Sequence, residues 1–230
     1  MKKQFKSALV AIAVSMAATG AHAVGYNNDL IIGFSGGGSA NDLMYDLGAP
    51  ASLFNGEQWT LTSLLGSFNL STVNWGVIGN TSATQGNRNV FVTSSVNPGT
   101  INSSTGTAIN NGDGALYSNF TTAGPGNSVS VDPSGDNSWK SQTISPTLAT
   151  QLRNAYTNPD INRTGTGAFT LWQTRANASA PVQLLDFTLG TDGVLTYGTV
   201  AVPEPSTYGF LAGAGLLLVS FRNAFRRKLA

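Results

Sequence analysis

Leu185-Asp186-Phe187-Thr188-Leu189, then Gly190-Thr191-Asp192-Gly193, then Val194-Leu195-Thr196-Tyr197-Gly198-Thr199-Val200 sets the fold class. Leu185, Phe187 and Leu189 alternate with Asp186 and Thr188, the period of a strand with one wet face. The Gly-containing segment 190–193 turns the chain and Val194–Val200 returns, so the stretch predicts a β-hairpin. Ala168–Thr174, with Phe169, Leu171 and Trp172, predicts its neighbour.

Working outward, the same grammar recurs. Asn28–Phe34 reads as a buried strand running into the flexible Gly36-Gly37-Gly38. Gln58–Leu65, Phe68–Ile78, Asn89–Thr93, Leu116–Phe120 and Ser128–Val131 are β-branched or aromatic runs bounded by turn residues. Trp59 and Trp75 are assigned to the core or its edge. The Ser/Asn/Gly/Thr-rich stretch 94–143 predicts long loops or polar edge strands. One helix is expected over about 145–157: Ser145 caps it and Pro146 suits its first position. Leu148, Leu152 and Tyr156 then share a face for core packing, and Asn158-Pro159 ends it. The expectation is mainly β: sandwich-like antiparallel sheets with one packed helix.

Both ends read differently. Residues 1–23 open with Lys2, Lys3 and Lys6, run apolar from Ala8 to Ala18, and close on Ala21-His22-Ala23. A charged start, a short apolar stretch and an Ala-x-Ala end predict a secretory signal peptide cleaved after Ala23. At the other end Ser206–Phe221 is an uncharged run of 16 residues, about 24 Å long as a helix. That is slightly short of a bilayer core of roughly 30 Å, a mismatch that snorkelling or thinning absorbs. Arg222, Arg226, Arg227 and Lys228 follow as a membrane stop, which the positive-inside rule places in the cytoplasm. Pro203-Glu204-Pro205 precedes the run, and its two prolines favour an exposed, extended backbone that a processing enzyme can bind. The expected organisation is a signal peptide (1–23), an exported β-rich domain (24–202) and a terminal sorting segment (203–230).

Val202-Pro203-Glu204-Pro205-Ser206, the Gly/Ala/Leu-rich run and the basic cluster together resemble the PEP-CTERM sorting signal of Gram-negative bacteria. The resemblance covers 203–230 and implies that exosortase, an integral-membrane transpeptidase-like enzyme, recognises Pro203, Glu204 and Pro205. It further implies a single-pass inner-membrane precursor, release to the cell surface or matrix, and association with exopolysaccharide and biofilm. Asn223-Ala224-Phe225 splits the basic cluster, a small departure from the pattern.

Removing both ends changes the electrostatics. The whole chain is formally +1, but segment 24–202 keeps five basic against ten acidic residues, a balance of −5. A nucleic-acid footprint is therefore not expected. The chain has no Cys, and its one His, His22, falls in the signal peptide. Zinc sites and His-dependent triads lack their residues, so no cofactor and no enzymatic activity are expected. Lys140 is the one Lys left for a Ser–Lys pair, and Ser138-Trp139-Lys140 offers no supporting context. A carboxylate-dependent glycoside hydrolase stays open through Asp42 with Asp46 or Asp132 with Asp136, although Asp is common at turns and caps. Asn158-x-Asp160-x-Asn162 and Asp132–Asn137 are oxygen-rich without matching a calcium loop. Gly36-Gly37-Gly38 lacks the Lys-Ser/Thr of a phosphate loop. Trp139 and Tyr117 are candidate platforms for a carbohydrate-binding adhesin, with core packing as the competing role.

Overall fold

A computed structural model describes residues 29–81, 89–99, 103–122, 124–144, 161–175 and 180–199. The described strands are β1 (Leu30–Gly36), β2 (Asp42–Gly48), β3 (Glu57–Thr60), β4 (Val73–Asn80), β5 (Asn89–Thr93), β6 (Ser128–Val131), β7 (Arg163–Thr164), β8 (Gly167–Arg175), β9 (Val182–Leu189) and β10 (Val194–Tyr197). Two α-helices accompany them, α1 (Ser103–Tyr117) and α2 (Trp139–Thr143). The expected helix over 145–157 and both terminal segments lie outside the described residues.

The mainly-β expectation holds, but the sandwich does not. All ten strands belong to one antiparallel sheet, ordered β3-β10-β9-β8-β5-β4-β1-β2-β6, with β7 on β4. The ladder is unbroken from β3 to β6, so the described strands form one sheet and not two. The sheet curls instead: Leu195 and Tyr197 of β10 share one buried cluster with Leu43 and Leu47 of β2, six strands away along the ladder. Phe34, Trp75, Phe169 and Phe187 fill this concave side, and the Trp75 and Phe169 rings meet edge-on at 5.9 Å.

The opposite face carries the helices. Ile31, Met44, Ile78, Val90 and Val92 point there and pack against Leu116 and Tyr117 of α1 and Trp139 of α2. Burial on both faces explains why β1 reads as a continuous apolar run rather than an alternating one. Trp139 lies directly over Gly33, where any Cβ would fall inside its indole ring. Gly76, the cross-strand partner of Gly33, is likewise overlain by the Ile161 carbonyl. Two bare backbone positions on adjacent strands thus form the seat on which α2 and Ile161 rest.

The hairpin predicted over 185–200 is β9–β10, with Leu189 opposite Leu195. Its inward face begins later than the alternation predicts. Between β8 and β9, Thr170 faces Asp186 and Trp172 faces Gln183, so two β9 residues oppose Leu171. This bulge breaks the period of two. Leu184 packs against the core, while Leu185 is 41% exposed.

Stretch 94–143 bears out the polar edge strand in β6, which ends the sheet, and corrects the rest of the expectation, since it also holds the helices α1 and α2. Leu116–Phe120, expected as a strand, forms the last turn of α1 and the turn after it.

Candidate functional site

β2 places Asp42, Met44 and Asp46 on the helix-covered face and Leu43 and Leu47 on the concave one. Asp42 and Asp46 are 1% and 0% exposed, so they are strand residues buried under the helices rather than solvated turn residues, although Asp42 does serve as a cap. Four strand residues separate their backbones by about 13 Å. Each carboxylate also turns to a different partner, so the two do not converge as a glycosidase pair requires.

Asp42 serves α2. Its Oδ2 accepts from the Lys140 N–H at 2.7 Å, while Ser138 Oγ accepts from the Ser141 N–H at 3.0 Å. Two of the orphan donors of the first helical turn are thereby satisfied. Burial raises the Asp42 pKa, and the Ser35 hydroxyl and Lys140 partly offset the rise. Beside it lies a depression of about 140 Å³ lined by Ser35, Ser39, Asn74, Pro133 and Lys140. Ser138 cannot act with Lys140 as a nucleophile pair: its hydroxyl caps α2 and donates to the Pro133 carbonyl at 3.1 Å.

Asp46 serves α1. Its Oδ1 accepts from the Gly48 N–H at 2.8 Å and its Oδ2 from the Tyr117 hydroxyl at 3.1 Å. Burial raises its pKa against these donors and the Gly124 N–H. Burial and then the Asp46 charge push Asp29 up to about 6 and Tyr117 up to about 12. The loop before β6 is sewn to the same residue through backbone bonds from Asp46 to Asn127 and from Gly126 to Asp46, both 2.9 Å. A fully buried carboxylate so enclosed holds a helix and a loop in place.

The remaining described candidates are tied into turns, the α2 cap and the core. Asp132 is exposed and closes a turn through the Ser134 N–H at 2.8 Å and the Ser134 hydroxyl at 2.7 Å, which lower its pKa. The Asp136 carbonyl accepts from Ser141 and Gln142, each at 2.6 Å. Asn162 is occupied by the Trp139 indole N–H at 2.8 Å, whereas Asn158 and Asp160 lie outside the described residues. Gly36, Gly37 and Gly38 all have positive φ and make the β1–β2 turn. Trp139 and Tyr117 are fully buried, with Tyr117 stacked on Phe120 at 5.3 Å. Neither presents a face to a sugar, so the platform reading falls and core packing stands. Among the described residues, no three His, Cys, Asp or Glu side chains group as metal ligands.

Asp42 and Asp46 thus anchor α2, α1 and the loop before β6 to the sheet. The residues read as functional in the sequence (Ala21 and Ala23; Pro203, Glu204 and Pro205; Arg222, Arg226, Arg227 and Lys228) lie outside the described residues. Their pattern is matched independently: residues 201–228 fit the family model of the PEP-CTERM protein-sorting motif. The chain carries a PEP-CTERM sorting motif. That motif implies an exported protein, a membrane-anchored precursor and exosortase as processing partner. Among the described residues no helix is long and apolar enough to cross a membrane. No curated protein and no solved structure matches the chain. The PEP-CTERM motif follows the folded body closely in sequence, since Tyr197 at the end of β10 stands six positions before Pro203.

Proposed function

We propose that this is a non-enzymatic surface or matrix protein, exported through its signal peptide and held in the inner membrane by 206–221. Exosortase then processes it at Pro203-Glu204-Pro205 for release into an exopolysaccharide-rich coat or biofilm matrix. The observation that carries this reading is the order of the three C-terminal parts: a Pro-Glu-Pro entry, an apolar run and a basic stop, within the matched residues 201–228. Support for a coat role comes from the body between the signals, which has no Cys and no His and a balance of −5.

Cell fractionation with and without exosortase tests the proposal. With the enzyme, the protein is expected in the surface or medium fraction at reduced mass; without it, the longer form accumulates in the inner membrane. Identical mass and location in both strains would sink it.

A further inference from the structure

We infer that one end of the folded body, marked by Phe54, Val182 and Leu185, is a membrane-contact surface that rests on the lipid headgroups while the C-terminal anchor is in place. The inference rests on the reading of 206–221 as a membrane span.

Three of the four large hydrophobic side chains that stand exposed among the described residues are Phe54 at 63%, Val182 at 56% and Leu185 at 41%; the fourth is Val96 at 47%. Strand register puts the first three at one end of the sheet. Tyr197 pairs with Glu57 on one side and Phe187 on the other, so Phe54 lies just before β3 and Val182 and Leu185 lie in the first half of β9. At the same end Gly198 donates to the Asp186 carbonyl at 2.7 Å, and Thr199 donates to Asn55 Oδ1 at 2.8 Å. A Cβ at Gly198 would touch both Asn55 and Leu185, so the chain leaves the body between the β3 loop and β9. Val96 follows β5 at the opposite end, because Asn89, not Thr93, pairs with Arg175 at the exit side.

The length of the connection identifies what covers this end. Residues 200–205 are six in number, and six residues reach at most about 22 Å fully stretched. Roughly 5–8 Å of that distance is the headgroup layer of one leaflet. A body tethered this closely by its exit end turns that end toward the bilayer, and side chains there meet the interface where apolar groups are stabilised. Glu57 and Asp186 stand at this end as well as Arg175, so the contact is apolar rather than a basic patch for anionic lipid.

The chain has no native Cys, so single cysteines give clean labels. Phe54→Cys, Val182→Cys, Leu185→Cys, Val96→Cys and Leu217→Cys would each carry an environment-sensitive fluorophore. The full-length protein is reconstituted in phosphatidylethanolamine–phosphatidylglycerol vesicles holding a nitroxide lipid quencher near the headgroups. Labels at 54, 182 and 185 are expected to quench at least about twofold more than the label at 96, as befits side chains at the headgroup boundary. Quenching at 217 with equal signals at the other four positions would overturn this inference and leave the anchor intact. No quenching at 217 would overturn the anchor and the inference together. Shielding of 54, 182 and 185 that appears only when exosortase is co-reconstituted would overturn the lipid assignment in favour of a protein surface.

Discussion

Gly33→Ala is expected to destabilise the body by about 3 kcal/mol or more, at or beyond the upper end for overpacked cores. The added methyl falls inside the indole of Trp139, whose side chain is fully buried and pinned by its N–H to Asn162 at 2.8 Å. The ring cannot slide without breaking that bond, and α2 cannot lift without losing the Lys140 N–H bond to Asp42 on β2. Trp139→Ala alone should cost about 3–5 kcal/mol, the usual range for a truncated core aromatic. The double variant should lose clearly less than the sum, because the new methyl fills part of the vacated space. Urea denaturation of the four proteins reads both effects. Additive losses would mean that Gly33 and Trp139 do not share one packing site.

Lowering the pH from 7.5 to about 5 is expected to raise the melting temperature. Burial, and then the Asp46 charge, push the Asp29 carboxyl up from an ordinary 3.8 to about 6. Its folded pKa is therefore raised, so full stability is present below 3.8 and is lost as pH climbs through 6. Two pKa units correspond to an upper bound of about 3 kcal/mol at neutral pH, which residual solvent screening reduces. Asp42 and Asp46 shift in the same direction through burial. Asp29→Asn should raise the melting temperature at pH 7.5 and flatten the profile between pH 4 and 7. A melting temperature that falls steadily from pH 7.5 to 5 would refute the assignment of a destabilised buried carboxylate.

The hairpin, β1, β5 and β6 were legible because their apolar residues and bounding turns follow strand rules. β2 was not, and Asp42 and Asp46 show why. A four-residue spacing fits one helical face but equally fits every second strand residue, so spacing alone cannot separate the two. Leu43, Tyr45 and Leu47 alternate with Asp42, Met44 and Asp46, and that alternation was the available signal. α1 was hidden by composition: Gly106, Asn110, Asn111, Gly112 and Gly114 are weak helix formers. Packing of Ile109, Leu116 and Tyr117 against the sheet outweighs those preferences. The single curled sheet was illegible for a different reason, since strand order across β8, β5 and β4 depends on pairings distant in sequence. The sorting motif was readable in full because its parts act in sequence order, without long-range pairing.

The body's buried carboxylates, its glycine seat and its exposed exit end describe a compact load delivered by a separable address. The most direct test of that division is the intact mass of the protein recovered from exosortase-competent cells. The expected species begins at Val24 and ends within the Pro203–Ser206 region, with the apolar run and the basic stop gone. A mature protein that still ends at Ala230 would contradict it.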